Sequence, residues 1–158
     1  MKPCISVVCL LISPFLMMQP AFADLKQDTV QAMQLLQAGQ KEEALARLKE
    51  LAKAYPKEPA AQMNYGSLLF GKAASLFKQG AQNESKPLFD EAEKHLVSAG
   101  KLFSNAKENK GASQSFFLLG DIYQYIRGDK KKAAEFYNKS LSLDPQNKSA
   151  SQEIQNVT

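Results

Sequence analysis

The chain has 158 residues with a formal net charge of +4, 44% hydrophobic residues, two cysteines, one histidine and no tryptophan. That length suits one domain, and a mildly basic, sign-interspersed balance is an ordinary solubility balance rather than a nucleic-acid footprint. Both cysteines, Cys4 and Cys9, lie in an apolar leader; once that leader is removed, disulfides, thiolate metal sites and cysteine nucleophiles are excluded.

The leader is read over residues 1–23. Met1-Lys2 is a short basic start, Ile5–Met18 an apolar run, and Ala21-Phe22-Ala23 a small-x-small cleavage site before Asp24. This predicts a secretory signal peptide of bacterial type, hence a periplasmic or secreted protein, with no stable membrane insertion after cleavage. An uncleaved anchor is the alternative, although the run is shorter than the roughly 20 residues a spanning helix needs.

From Asp24 the apolar residues recur at helical spacing. Leu25, Val30, Met33, Leu35 and Leu36 mark a first helix ending at Gly39. Lys41–Tyr55 marks a second, with Ala44, Leu45, Leu48, Leu51, Ala52 and Tyr55 inward and Pro56 closing it. Pro59 suits the first turn of a third helix, carrying Met63, Gly66, Leu69, Phe70, Ala73, Ala74 and Phe77 and ending near Gly80. Gly66 fits a close helix contact; Gly71 has no such reason and permits a kink. The fourth helix starts between Asn83 and Pro87, with the stripe Leu88, Ala92, Leu96, Ala99 and Phe103, and Lys107–Gly111 reads as a polar loop.

Ser113–Pro145 carries the sharpest pattern. Phe116, Leu119, Gly120 and Tyr123 fall at i, i+3, i+4 and i+7. Gly128 ends that helix and Asp129 caps the next. Ala133, Tyr137, Ser140 and Leu141 form the second inward stripe, and Pro145 stops it. Small residues, Gly120 and Ala133, are placed where the backbones cross. After Pro145, the spacing of Ala150, Ile154 and Val157 predicts a short polar capping helix over 147–158, with a frayed tail as the alternative.

Aromatic-x-x-Leu-Gly-x-x-Tyr, then Ala-x-x-x-aromatic, then Pro resembles the tetratricopeptide repeat (TPR). Phe116 stands where that pattern has Trp, and the turn between the helices is one residue longer. Gly39, Glu43-Ala44-Leu45 and Tyr55-Pro56 resemble the second half of another repeat, with Ala32 in place of the glycine of the first half. Tyr65-Gly66-x-x-Leu69 and Ala92-x-x-x-Leu96 resemble a third, elongated one. Gly66 and Ala92 are 26 positions apart, Gly120 and Ala133 only 13, about two further turns per helix. The resemblance implies an all-α fold of antiparallel helical hairpins stacked as a short right-handed TPR solenoid over 24–146, with repeats near 24–58, 59–106 and 112–146. Its packing residues would be Leu48, Gly66, Ala92, Phe116, Leu119, Gly120, Tyr123, Ala133, Tyr137 and Pro145.

The resemblance also implies a non-enzymatic binding scaffold whose partner is another protein or peptide. Carried onto this sequence, the first helices of the repeats would line a concave groove with Met33, Leu36, Met63, Ser67, Phe70, Phe117, Asp121 and Gln124, extended by Ala74, Phe77 and Gln114. Such a face would take an apolar peptide or helix, Met and Phe being adaptable binding residues. Core packing is the competing role for Phe70, Phe77 and Phe117, and self-association through the same face the competing function. Asn64, Lys72 and Lys26 do not reproduce the carboxylate clamp of some family members.

Nothing in the sequence implies a cofactor, metal or catalytic residue. The lone His95 flanks the Leu96 stripe, and Asp90, Glu91 and Glu93 with Lys86 and Lys94 read as an exposed face with i, i+4 pairing. Gly-x-Gly-x-x-Gly and Gly-x-Ser-x-Gly do not occur. Arg127 with Lys130–Lys132 forms the densest basic run, a solvated corner or a weak site for anionic envelope material. Asn83, Asn138, Asn147 and Asn156 begin Asn-x-Ser/Thr triplets that a bacterial export signal leaves without a glycosylation role.

Overall fold

The computed structural model describes residues 21–157, with side chains from Leu25 onward. Among them are seven α-helices and no strand. These are α1 (Ala21–Gln37), α2 (Lys41–Ala54), α3 (Pro59–Lys78), α4 (Gln82–Asn105), α5 (Asn109–Asp121), α6 (Lys130–Leu143) and α7 (Lys148–Val157). The leader expected at the N-terminus falls largely on residues 1–20, outside the described residues.

Each helix packs chiefly against its neighbours in sequence, so the chain is a row of hairpins α1–α2, α3–α4 and α5–α6 closed by α7. One core runs through the row. It contains Ala32, Leu48, Leu51, Tyr65, Leu69, Phe89, Ala92, Leu96, Ala99, Phe116, Leu119 and Ile122. The elongated central hairpin has helices of 20 and 24 residues, while α2 and α6 have 14 each.

Local chemistry sets the ends. Gly39 and Gly80 take φ of +80° and +84°, and the following N–H groups reach back five residues, Gln40 to Leu35 and Ala81 to Leu76. That geometry needs a residue tolerant of the left-handed region. Lys107 takes the same role at φ 60°, with the Glu108 N–H on the Phe103 carbonyl at 2.9 Å. Only Ala106–Glu108 is therefore non-helical, and α5 begins at Asn109, within the Lys107–Gly111 stretch expected as a loop. Gly111 lies in α5 directly under the Phe103 ring, where a Cβ would lie 2.7 Å from Cδ1.

The extra residue of the third hairpin is in the helix, not in the turn. Ile122–Ile126 forms a π-helical turn continuing α5, and the Arg127 N–H bonds the Ile122 carbonyl at 3.0 Å. The closing bond, from the Asp129 N–H to Tyr123 at 2.9 Å, consequently spans six residues where those at Gly39 and Gly80 span five. One inserted residue is absorbed as a bulge. Gly128 (φ +68°) then turns the chain, and the Asp129 carboxylate caps α6 by accepting from the Lys132 N–H at 3.0 Å.

Other expectations are corrected. The glycines meet large side chains, not the alanines opposite: a Cβ on Gly120 would meet the Tyr137 ring, and one on Gly66 would lie 3.1 Å from Leu96 Cγ. The α4 stripe is led by fully buried Phe89 rather than Leu88. α4 starts at Gln82, so Pro87 lies past its first turn and leaves the Asn83 carbonyl without its helical donor. Val30 is 49% exposed because Ala32 supplies the buried contact of α1. The C-terminal segment is helical through Val157, anchored by Asn147. Its side-chain oxygen accepts from the Ala150 N–H at 3.1 Å while its amide donates to Ser113 and Ser140 Oγ, each at 3.1 Å.

Candidate functional site

The eight groove residues projected from the sequence are all half-buried. Met63 and Phe70 pack against the core. Phe70 and Phe77 both meet the edge of Phe89, at ring distances of 6.0 and 6.2 Å, which ties them to α4. Phe117 lies 5.9 Å from the Tyr137 ring and, with Gln114, Lys110 and the Asp144–Ser149 segment, lines an open cleft of about 510 Å³ between α5 and the start of α7. Asp121 and Gln124 are engaged by their neighbours: the Tyr137 hydroxyl donates to Asp121 at 2.8 Å and the Gln124 amide to Glu153 of α7 at 3.2 Å. Burial pushes the Asp121 carboxyl up to about 6, against the Tyr137 hydrogen bond and with help from Glu153. Ser67 Oγ and Gln124 Oε1 are buried polar atoms without a hydrogen-bond partner.

The packing residues fall where the hairpin pattern puts them. Leu48, Gly66, Ala92, Phe116, Leu119, Gly120, Ala133 and Tyr137 are buried. Tyr123 is half-buried, with its ring stacked 5.4 Å from Phe136 and its hydroxyl donating to Glu93 and accepting from Lys132 Nζ. Pro145 is exposed just beyond α6.

The basic corner is only partly neutralised, through Arg127. Arg127, directly after the π-turn, pairs with Asp90 and with Glu93, the latter at 3.2 Å. Lys132 Nζ sits 4.0 Å over the Tyr123 ring. The carboxylates of α4 thus pair across hairpins rather than with Lys86 and Lys94 along the helix, because Arg127 is brought to them by tertiary packing.

A second cleft, of about 410 Å³, escaped the sequence reading. It is lined by Lys49, Ala52, Lys53 and Pro56 at α2, Gln62 and Tyr65 of α3, and Glu91, Lys94, His95 and Ser98 of α4. Its inner wall is a hydrogen-bonded network: Gln62 Nε2 donates to the Ala52 carbonyl at 2.8 Å, Gln62 Oε1 meets His95 Nδ1 at 2.7 Å, and the Tyr65 hydroxyl donates to Glu91 at 2.7 Å. The Tyr65 ring meets the His95 ring edge-on at 4.7 Å. Burial holds the His95 imidazole below its ordinary value, against the pull of Glu91. The signal was present in the sequence: Gln62 precedes Gly66 by the same four positions as Phe116 precedes Gly120.

Residues 29–94 match one tetratricopeptide-repeat family description and residues 114–147 another, together well over half of the chain. The chain belongs to the tetratricopeptide-repeat family. Its structure is similar to the first TPR of Spaghetti (RPAP3) bound to HSP90 peptide SRMEEVD, with 18% identity over 85% of this chain and 90% of that one and a TM-score of 0.57. It also matches MamA 41-end from Desulfovibrio magneticus RS-1, at 21% identity, 85% and 83% coverage and a TM-score of 0.34. No curated protein matches the chain. The TPR fold is a protein-interaction scaffold and typically non-catalytic. Among the described residues no three His, Cys, Asp or Glu side chains come together as metal ligands.

Proposed function

We propose that this TPR protein is an exported, non-catalytic adaptor that receives an apolar peptide or amphipathic helix against the face of α1, α3 and α5. The observation that carries the reading is the open cleft beside α7, where Gln114 and Phe117 of α5 remain available to a partner after the fold is complete. A half-buried Phe beside polar Gln114 and Lys110 offers an apolar contact with a hydrogen-bonding rim, the usual make-up of a peptide site. Burying one such side chain contributes about 1.5–3 kcal/mol. A peptide bound to the structurally similar RPAP3 domain supports a peptide as ligand class. The export assignment rests on the apolar Ile5–Met18 run and the Ala21-Phe22-Ala23 site.

The test is site-directed photocrosslinking in cells, with the crosslinking residue at Gln114 or, as a control, at exposed Lys131. The expected result is a discrete adduct from Gln114 only, in the envelope or secreted fraction, lost in Phe117→Asp. Equal labelling from both positions overturns the groove, and an adduct of twice the chain mass assigns the face to self-association instead. Recovery of the full-length chain in the cytoplasm overturns the export assignment.

A further inference from the structure

The central and third hairpins can be superposed in register, Gly66 on Gly120 and Ala92 on Ala133. In the third hairpin the positions four before the glycine and three after the alanine hold Phe116 and Phe136, stacked 6.2 Å apart. In the central hairpin the same positions hold Gln62 and His95, hydrogen-bonded at 2.7 Å. Gln62 is only 4% exposed. Burying a polar pair there stabilises less than an aromatic stack would, since desolvation offsets the hydrogen bond. Both exchanged residues, Gln62 and His95, line the cleft of about 410 Å³.

The network fixes the protonation of that wall. Only the Gln62 amide N–H can donate to the Ala52 carbonyl, so its oxygen faces His95. Nδ1 must then carry the imidazole proton, and Nε2 is left as a lone-pair acceptor. The cleft that His95 lines is also lined by Lys49 and Lys53 from α2 and Lys94 from α4. Lys53 is held by Glu50 at 2.9 Å. Lys49 lies 3.9 Å from Glu91, an oxygen of which is already taken by Tyr65. Lys94 has no carboxylate partner among the described residues. Positive charge is in excess, and the one free imidazole nitrogen accepts rather than donates.

We propose that this cleft binds an oxyanion carrying a hydrogen-bond donor of its own, such as hydrogenphosphate or the carboxylate of an acylated amino acid. Lys49 and Lys94 would hold the negative charge while His95 Nε2 accepts the ligand's O–H or N–H. The site shares no residue with the peptide face of α5. Groups facing His95 are Tyr65 of α3, Glu91 and Lys94 of α4 and Lys49 of α2, and depression of its proton affinity by burial keeps the acceptor form at neutral pH.

His95 is the only histidine, so its imidazole gives a single pair of ¹⁵N signals in the full-length chain. At pH 7 the expected spectrum shows a protonated Nδ1 and a pyridine-type Nε2. Titration with inorganic phosphate, and separately with N-acetylglycine, is run against sodium chloride at matched ionic strength. A saturable shift of Nε2 with either probe, weakened about tenfold or more by Lys49→Gln with Lys94→Gln, supports the site. The probe that acts identifies phosphate or carboxylate as the ligand chemistry. Both lysines are exposed, so the double variant keeps the fold. A protonated Nε2, no shift beyond the chloride control, or an equal shift in the double variant overturns it.

Discussion

The Tyr137 ring rests directly on the Cα of Gly120: a Cβ at residue 120 would stand 2.5 Å from Cδ1 and 2.8 Å from Cζ. Tyr137 is fully buried and its hydroxyl is tied to Asp121, so the ring cannot swing away. Gly120→Ala should therefore destabilise the protein by about 1–3 kcal/mol through overpacking. Gly71, in the neighbouring helix, has nothing within 4 Å of a built Cβ, and Gly71→Ala should raise stability by about 0.5–1 kcal/mol through the helix backbone alone. Urea unfolding of the two variants, read by circular dichroism, checks the pair; shifts of the same sign would contradict this packing.

Asn147 joins three segments, capping α7 and bonding two buried serines that are themselves 2.8 Å apart. Asn147→Ala leaves those hydroxyls with one partner fewer and removes a cap. The expected cost is about 1–3 kcal/mol. Loss of hydrogen-exchange protection should be largest at Ala150–Ile154.

Asp121 makes stability depend on pH. Its carboxyl is raised to about 6 in the folded chain, from an ordinary value of 3.8, so the folded state holds the proton more tightly than the unfolded one. The resulting stabilisation is fully present below about pH 4 and is lost as pH rises through about 6. With allowance for solvent screening this amounts to about 1–2 kcal/mol. Asp121→Asn keeps an acceptor for the Tyr137 hydroxyl and removes the titration. The variant should be more stable than the parent at pH 7 and lack the decline between pH 4 and 6, as measured by urea unfolding across that range.

The two candidate groove phenylalanines should separate. Phe70 belongs to the Phe89 cluster, and Phe70→Asp should cost more than about 2 kcal/mol by placing a charge against the core. Phe117 lines an open cleft. Phe117→Asp should leave the unfolding midpoint near that of the parent while eliminating partner crosslinking from Gln114. Equal destabilisation by both substitutions would make Phe117 a core residue.

Much of the architecture was legible because its determinants are local. Helical spacing, the glycines at 39, 80 and 128, and the prolines at 56, 59 and 145 mark the helices within a few residues. The repeat pattern could be read from one hairpin for the same reason. Even the inserted residue of the third hairpin could be counted, since Ala32 and Ala44 are 12 positions apart and Gly120 and Ala133 are 13. Its location could not be counted, because a longer turn and a π-turn consume the same number of residues. In the π-turn the Tyr123 ring stacks on Phe136 and Ile126 packs against the core.

The sequence by itself determined that this chain forms antiparallel helix pairs of the tetratricopeptide kind, because periodicity and chain-ending residues act over four or five positions. Only the tertiary structure decided which side chains share a surface. Phe103 seats on Gly111 and Phe116 on Gly100 across hairpins, Arg127 reaches carboxylates more than thirty residues away, and Gln62 orients His95 from another helix. These contacts depend on how whole helices rotate and slide against one another. That arrangement minimises the packing energy of the entire row, which no short window of sequence contains.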